Sequence, residues 1–262
     1  MGDKFLFVMK TRLDKLLVER GLVASRERAQ SMILAGRVLV NGQKIEKSGA
    51  NVETDAAVRL LGEDLKYVSR GGLKLESALQ HWNIDLTGRR CMDVGASTGG
   101  FTDCMLQHGA AEVIAIDTGY GQIATSLRSD PRVRLLERTN ARYLTAEQLR
   151  QAGGPGHISF IAMDVSFISV TLVLPAVLAA VFAGSQEPNR EIVILVKPQF
   201  EVGRESVGKG GIVKDEHARH MAVLKVHKAV EALGGSDIEV IDSPITGMEG
   251  NHEYLLHSRF PG

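Results

Sequence analysis

Five short apolar runs, CMDVGA, AEVIAID, VRLLE, HISFIAMDV and REIVILVKP, recur through the later two thirds of the chain with helical stretches between them. A strand that is apolar along its whole length has to be covered on both faces, and strands that alternate with helices are joined by crossovers. The order predicts a doubly wound parallel sheet. Two more strand segments, IEVIDSP and HEYLLHSRF, follow the last long helical stretch. A chain of 262 residues has room for one such domain and one small accessory module, and its 44% hydrophobic content can fill the core.

Composition removes several classes. No apolar run approaches the ~20 residues that cross a bilayer, and VTLVLPAVLAAVFAG is short and broken by Pro175. No membrane association is expected. Two cysteines, Cys91 and Cys104, sit in apolar surroundings, and no cleavage pattern follows the short FLFVM run, so a reducing cytoplasm is expected. The 31 basic and 31 acidic residues cancel overall, but residues 10–50 hold nine Lys or Arg against four Asp or Glu.

That basic segment has its own pattern. In RLDKLLVERG, Leu13, Leu16 and Leu17 share one helical face and Gly21 ends the helix. Ser25 caps a second helix whose inward residues are Ala29, Met32 and Ile33, and Gly36 stops it. RVLVNGQKI then carries a hairpin signal at Asn41-Gly42. Arg12, Lys15, Arg26, Arg28, Arg37 and Lys44 can line one surface and meet a phosphate backbone. On charge alone a solvated surface is the favoured reading. The order of helix, arginine-bearing helix and VNG hairpin adds more, because it resembles the α-L RNA-binding domain of a small-ribosomal-subunit protein and of pseudouridine synthases. The division expected is an extension over 1–10, an α-L (S4-like) module over 11–62, a linker over 63–72 and a sheet domain over 73–262.

MDVGASTGGFTD joins a strand to a helix, where small residues let a ligand approach the backbone. It lacks the GxGxxG dinucleotide pattern and the lysine of a phosphate loop, which disfavours a triphosphate. Asp117 closes the next strand, twenty-two residues after Gly95, and can accept hydrogen bonds from both hydroxyls of a ribose. With Asp93, this fits S-adenosylmethionine, which needs no phosphate cradle. Asp93, Gly95, Ser97, Gly99, Gly100, Phe101 and Asp117 are the candidate cofactor residues.

Asp164 in MDVSFIS and Lys197 in VKPQFE end successive strands at the carboxyl edge, where open α/β sheets hold ligands. Singly, the first reads as a helix cap and the second as a surface charge. Together, RGGLKLE, DVGASTGGFTD, AIDTGYGQ, MDVSFIS, VKPQFE and HEYLLH resemble the hemolysin A (TlyA) family of ribosomal RNA methyltransferases, within the wider FtsJ-like 2′-O-ribose methyltransferases. The resemblance spans roughly residues 11–260. It implies a Rossmann-like S-adenosylmethionine-dependent methyltransferase domain with a small N-terminal α+β RNA-binding module. It also implies a catalytic tetrad on Lys74, Asp164, Lys197 and Glu253, with Asn140 near the adenine and Arg70 available to RNA. The implied partner is ribosomal RNA or a ribosomal subunit, methylated on a cytidine ribose. None of these motifs specifies an oligomeric state.

The tetrad suits that chemistry. A ribose 2′-hydroxyl loses its proton as it attacks a sulfonium methyl, and a neutral lysine can take it. Lysine titrates near ~10.4 when free; burial beside a second ammonium lowers that value and nearby carboxylates oppose the shift. No metal is expected: His252 and His257 are five residues apart, roughly 140° round a helix axis, and do not share an ion. By itself Glu253 reads as an edge-strand charge. PQFEVGRESVGKGGIVKD reads either as an RNA-gripping lid or as a solvated loop. The competing classes are a non-catalytic RNA-binding assembly factor and, from the family's historical name, a membrane-lytic hemolysin.

Overall fold

A computed structural model of the protein describes residues 9–23, 25–34, 36–61, 66–153, 157–183, 189–247 and 250–260. It divides into two units, residues 1–65 and 66–262. The first contains β1 (Lys10–Arg12), α1 (Leu13–Glu19), α2 (Arg26–Leu34), β2 (Val38–Val40), β3 (Gln43–Lys44), β4 (Asn51–Glu53) and β5 (Val58–Leu60). Leu13, Leu16 and Leu17 of α1 and Ala29, Met32 and Ile33 of α2 meet Val38 and Val40 in one small core. Helices this short are marginal alone, so burial of these faces is what holds them. The Arg28 amide donates to Ser25 Oγ at 3.2 Å, which makes Ser25 the cap of α2. Asn41 and Gly42 turn the β2–β3 hairpin with φ of 50° and 79°, the positive values a two-residue turn demands. The expected extension is shorter than 1–10, because Lys10 already pairs with Glu53 in β1–β4; residues 1–8 lie outside the described ones.

The second unit contains α3 (Gly71–His81), β6 (Arg90–Val94), α4 (Gly100–Gln107), β7 (Glu112–Ile116), α5 (Thr125–Arg128), β8 (Val133–Leu136), α6 (Ala146–Gly153), β9 (Phe160–Met163), α7 (Val170–Phe182), β10 (Arg190–Val196), α8 (Pro198–Glu201), α9 (Glu216–Ala232), β11 (Ser236–Asp242) and β12 (Tyr254–Phe260). Its sheet has the order β11-β12-β10-β9-β6-β7-β8. Strands β6 to β10 run parallel, as their apolar sequences predict. The sheet as a whole is mixed, because β12 inserts antiparallel between β10 and β11. Successive strand residues face opposite ways. Met92, Ile114, Ile161 and Ile192 pack with α7 and α9, whereas Cys91, Val113, Phe160 and Val193 pack with α3 and α4.

Two boundaries differ from expectation. Residues 63–65 of the expected linker lie outside the described ones, and the remainder of it belongs to the second unit. Tyr67 is buried there with Leu75 and Cys104, and α3 begins at Gly71, two residues before Leu73. Pro175 does not break its segment: α7 runs through it from Val170 to Phe182. The ring stands on the exposed side of the helix, so one backbone hydrogen bond is lost while the buried face stays intact.

Candidate active site

The strand order reverses between β6 and β9, and open α/β sheets bind ligands outside the carboxyl edge at such a point. Val94 pairs with Met163, so Gly95 and Asp164 leave the two strands side by side. Gly95 has a φ of 90°, and a Cβ there would stand 2.3 Å from the Asp164 carbonyl oxygen. Only glycine satisfies both conditions. A cavity of about 270 Å³ opens at this crevice, with Gly95, Ser97, Asp117, Asn140, Asp164 and Phe167 in its wall.

Asp117 is fixed by backbone amides. Its Oδ2 accepts from Ser97 at 2.8 Å and its Oδ1 from Gly119 at 2.6 Å. A carboxylate has about four lone-pair positions, so capacity remains for hydroxyl donors. Asn140 Oδ1 accepts from the Arg142 amide at 3.1 Å and so caps the 3-10 turn Ala141–Tyr143. Asp93, Gly99, Gly100 and Phe101 lie behind the cavity rather than on it. Phe101 is part of the core, and Gly99, with φ of 95°, turns the loop into α4. Asp93 is wholly buried, with Oδ2 accepting from Thr102 Oγ1 at 2.6 Å and Oδ1 without a partner among the described residues. Burial pushes its carboxyl up to about 7; the Thr102 bond opposes that shift, and the charges of Asp164 and Asp117 add to it. The cavity wall is acidic, with Asp117 and Asp164 in it, which suits a ligand of net positive charge.

At the same sheet edge the four tetrad candidates form two ion pairs. Lys197 Nζ is 2.6 Å from Asp164 Oδ1 and donates to Ser166 Oγ at 2.7 Å. Lys74 Nζ, from α3, pairs with Glu253 Oε2, and both side chains are buried. The antiparallel course of β12 brings its first end to the edge where the parallel strands finish. The β10–β12 register ends at the Val196–Tyr254 pair, and Lys197 and Glu253 are the next residues of the two segments at this edge. Glu253 is therefore no edge charge, since β12 lies inside the sheet. His252 contacts Asp242 at 2.8 Å, while His257 stacks on Trp82 and lies 3.4 Å from Glu191, so the two histidines serve different places.

Other features were not predicted. Phe167 is 93% exposed at the cavity mouth with a φ of 64°, and its ring touches Phe200 at a centroid distance of 5.4 Å. MDVSFIS carries no signal for this, since a positive φ at a bulky residue has no sequence signature. Asn251 is buried and accepts from the Val213 amide at 3.0 Å while donating to the Gly211 carbonyl at 2.9 Å. It thereby ties the glycine-rich stretch after Lys197 to the segment that leads into Glu253.

In the first unit the basic candidates do not act alike. Arg12 and Arg26 converge on the buried Asp14, with Arg12 Nε and Nη2 at 3.0 and 2.8 Å and Arg26 Nη2 at 3.1 Å. Gln30 Nε2 donates to the same carboxylate at 2.8 Å. The Arg12 hydrogen bond, foremost, holds the Asp14 carboxyl well below the usual carboxylate range, against the cost of burial. Lys15 pairs with Glu19 and Lys44 with Glu46, and Arg37 Nε donates to the Leu61 carbonyl. Arg28 is half-buried. Arg70 belongs to the second unit, where it donates to the Thr246 carbonyl at 2.8 Å.

A family model of FtsJ-like methyltransferases matches residues 67–260, and one of the S4 domain matches residues 11–58. The chain belongs to the FtsJ-like methyltransferase family, is an enzyme, and carries an S4 domain at its N-terminal side. Among its relatives, the 16S/23S rRNA (cytidine-2′-O)-methyltransferase TlyA of Mycobacterium tuberculosis is 45% identical over 95% of this chain and 90% of its own length. Hemolysin A of Brachyspira hyodysenteriae is 39% identical over 94% of this chain and 98% of its own length. A solved structure of a hemolysin-named protein from Streptococcus thermophilus aligns with a TM-score of 0.71 and 40% identity, covering 97% of this chain and 89% of that one.

Proposed function

We propose that this enzyme methylates the 2′-hydroxyl of a cytidine in ribosomal RNA with S-adenosylmethionine as donor, in the cytoplasm. The observation that carries the reading is the set of two lysine–carboxylate pairs at the carboxyl edge of the sheet, one of which borders an acidic cavity through Asp164. The relatives named for cytidine-2′-O methylation support the substrate, and the S4 domain supports RNA binding through Arg12 and Arg26.

When bound, S-adenosylmethionine supplies a methyl group already activated on a cationic sulfur. In this reading Asp117 accepts the ribose hydroxyls of the cofactor with its remaining lone pairs, and Gly95 and Ser97 border the methionine part. Lys197 Nζ donates to Ser166 Oγ and is ion-paired with Asp164, and hydrogen-bonding capacity remains on it for the target hydroxyl. Lys197 holds that oxygen in line with the methyl carbon and, as the neutral amine, would take its proton as the O–C bond forms and the sulfur–methyl bond breaks. Lys74 and Glu253 set the charge beside it. Alignment is the larger contribution, since the donor is already reactive. Phe167 offers an exposed ring face at the cavity mouth for the base.

The test is nuclease digestion of rRNA incubated with enzyme and S-adenosylmethionine, with nucleosides resolved by mass spectrometry. 2′-O-methylcytidine is the expected product. A base-methylated nucleoside would move the chemistry off the ribose, and tight cofactor binding without any methylated nucleoside would favour the assembly-factor reading. The hemolysin name carried by one relative is tested separately by liposome leakage. Among the described residues no helix is long and apolar enough to cross a membrane.

A further inference from the structure

Glu201 closes the VKPQFE turn, four residues after Lys197, and its side chain is only 3% exposed. Its carboxylate is spent on another loop. Oε1 accepts from the Val170 amide at 2.7 Å, and Oε2 accepts from Ser169 Oγ. Ser169 and Val170 begin α7, and they end the short segment that leaves β9 at Asp164. Ser169, the residue at the N-cap position of α7, makes no capping bond of its own, so the first helical amide, that of Val170, receives its acceptor from a residue 31 positions away. A negative charge there also complements the exposed amides of the first helical turn. From a third element, α9, Lys225 Nζ lies 3.4 Å from Glu201 Oε2 and donates to the Glu201 carbonyl at 2.8 Å.

The two loops joined in this way are the ones that carry the Lys197–Asp164 pair. We propose that Glu201 is a positioning residue, a buried clamp that ties the exits of β9 and β10 together and so sets the Lys197–Asp164 geometry. A helix start needs some acceptor, but a local serine, threonine or aspartate is the common source. Here the acceptor comes from the turn that begins at Lys197, so any loosening of the helix start moves the lysine as well. The Phe167–Phe200 ring contact links the same two exits nearer to the cavity. The inference deepens the proposed methyl transfer and rests on that assignment of Lys197.

The test compares Glu201→Ala and Glu201→Gln with Val230→Ala, a core change in the second half of α9 that lowers stability without touching either loop. The first readout needs no activity. The rate of reductive methylation at Lys197, read by peptide mass spectrometry of the full-length protein, rises about threefold or more in E201A through local opening. It rises less in E201Q, which keeps an oxygen for Val170, and stays at the wild-type level in V230A. The second readout is single-turnover methyl transfer to rRNA at saturating cofactor, measured well below each melting temperature. E201A loses about 100-fold, the scale expected for a displaced reacting group, while V230A stays near wild type. Equal Lys197 labelling in E201A and wild type overturns the clamp, whatever the transfer rates. A wild-type enzyme that transfers no methyl to RNA overturns the function instead, and the labelling comparison still decides the clamp.

Discussion

Each unit of the molecule buries a carboxylate among cations, and the two arrangements point opposite ways. Asp14 and Glu253 are both nearly inaccessible, but the arginines on Asp14 keep about half their side-chain surface in water, at 48% and 53%, whereas Lys74 on Glu253 keeps 9%. In the first unit a buried anchor presents charge outward, the arrangement suited to a large polyanion. In the second the charge is withdrawn from solvent, where salt screens it little and its position affects chemistry. Burial of the acid alone does not distinguish binding from catalysis; the exposure of its partner does.

The largest expected effect follows from removing the inward acid. Glu253→Ala leaves Lys74 buried without its partner, and the loss expected in chemical denaturation is about 3–5 kcal/mol. Asp14→Ala costs less, because Arg12 and Arg26 can turn to water. A larger loss for Asp14→Ala than for Glu253→Ala would break the comparison.

A pH effect of intermediate size separates the units by sign. Asp93, with its carboxyl pushed up to about 7, binds a proton in the folded state that the unfolded chain releases near ~3.9. Its contribution to stability therefore falls as pH rises from about 4 through about 7 and is flat above that. Asp14 is held below the usual range, so its contribution is present above about 4 and is lost as pH falls. Thermal unfolding across pH 3 to 8 should show the alkaline-side decline removed by Asp93→Asn and the acid-side decline reduced by Asp14→Asn. The same slope in wild type and Asp93→Asn would contradict the buried-acid assignment.

The smallest effect sharpens the binding side. Arg12→Ala and Arg26→Ala should each reduce the salt slope of rRNA binding by about 1, with Lys197→Ala leaving it unchanged. Filter binding between low and moderate salt reads it directly. An unchanged slope in both arginine variants would remove the S4 unit from the phosphate contacts.

Much of the fold was legible because its signals are local. Continuous apolar runs marked β6 to β10, and Asn41-Gly42 marked the hairpin. Asn140 was expected at the cofactor from the family and does line the cavity. What escaped depends on residues distant in sequence. The insertion of β12 inside the sheet, the Lys74–Glu253 pair across 179 positions and the Glu201 cap across 31 are products of tertiary packing. Nothing local to RLDKLL marks Asp14 as an anchor, and only the folded module reveals Arg12, Arg26 and Gln30 gathered on it. The ring of Phe167, turned out at the cavity mouth, is a property of the exit of β9 rather than of its residue type.

The most direct test of the central claim is transfer of labelled methyl from S-adenosylmethionine to purified ribosomal subunits and to naked rRNA, with wild type and Lys197→Ala in parallel. Wild type should incorporate label as 2′-O-methyl nucleotide, and the variant, still folded and still binding cofactor, should lose about 10²–10⁴-fold in rate. Equal incorporation by the two proteins would contradict the assignment of Lys197 to the reacting hydroxyl.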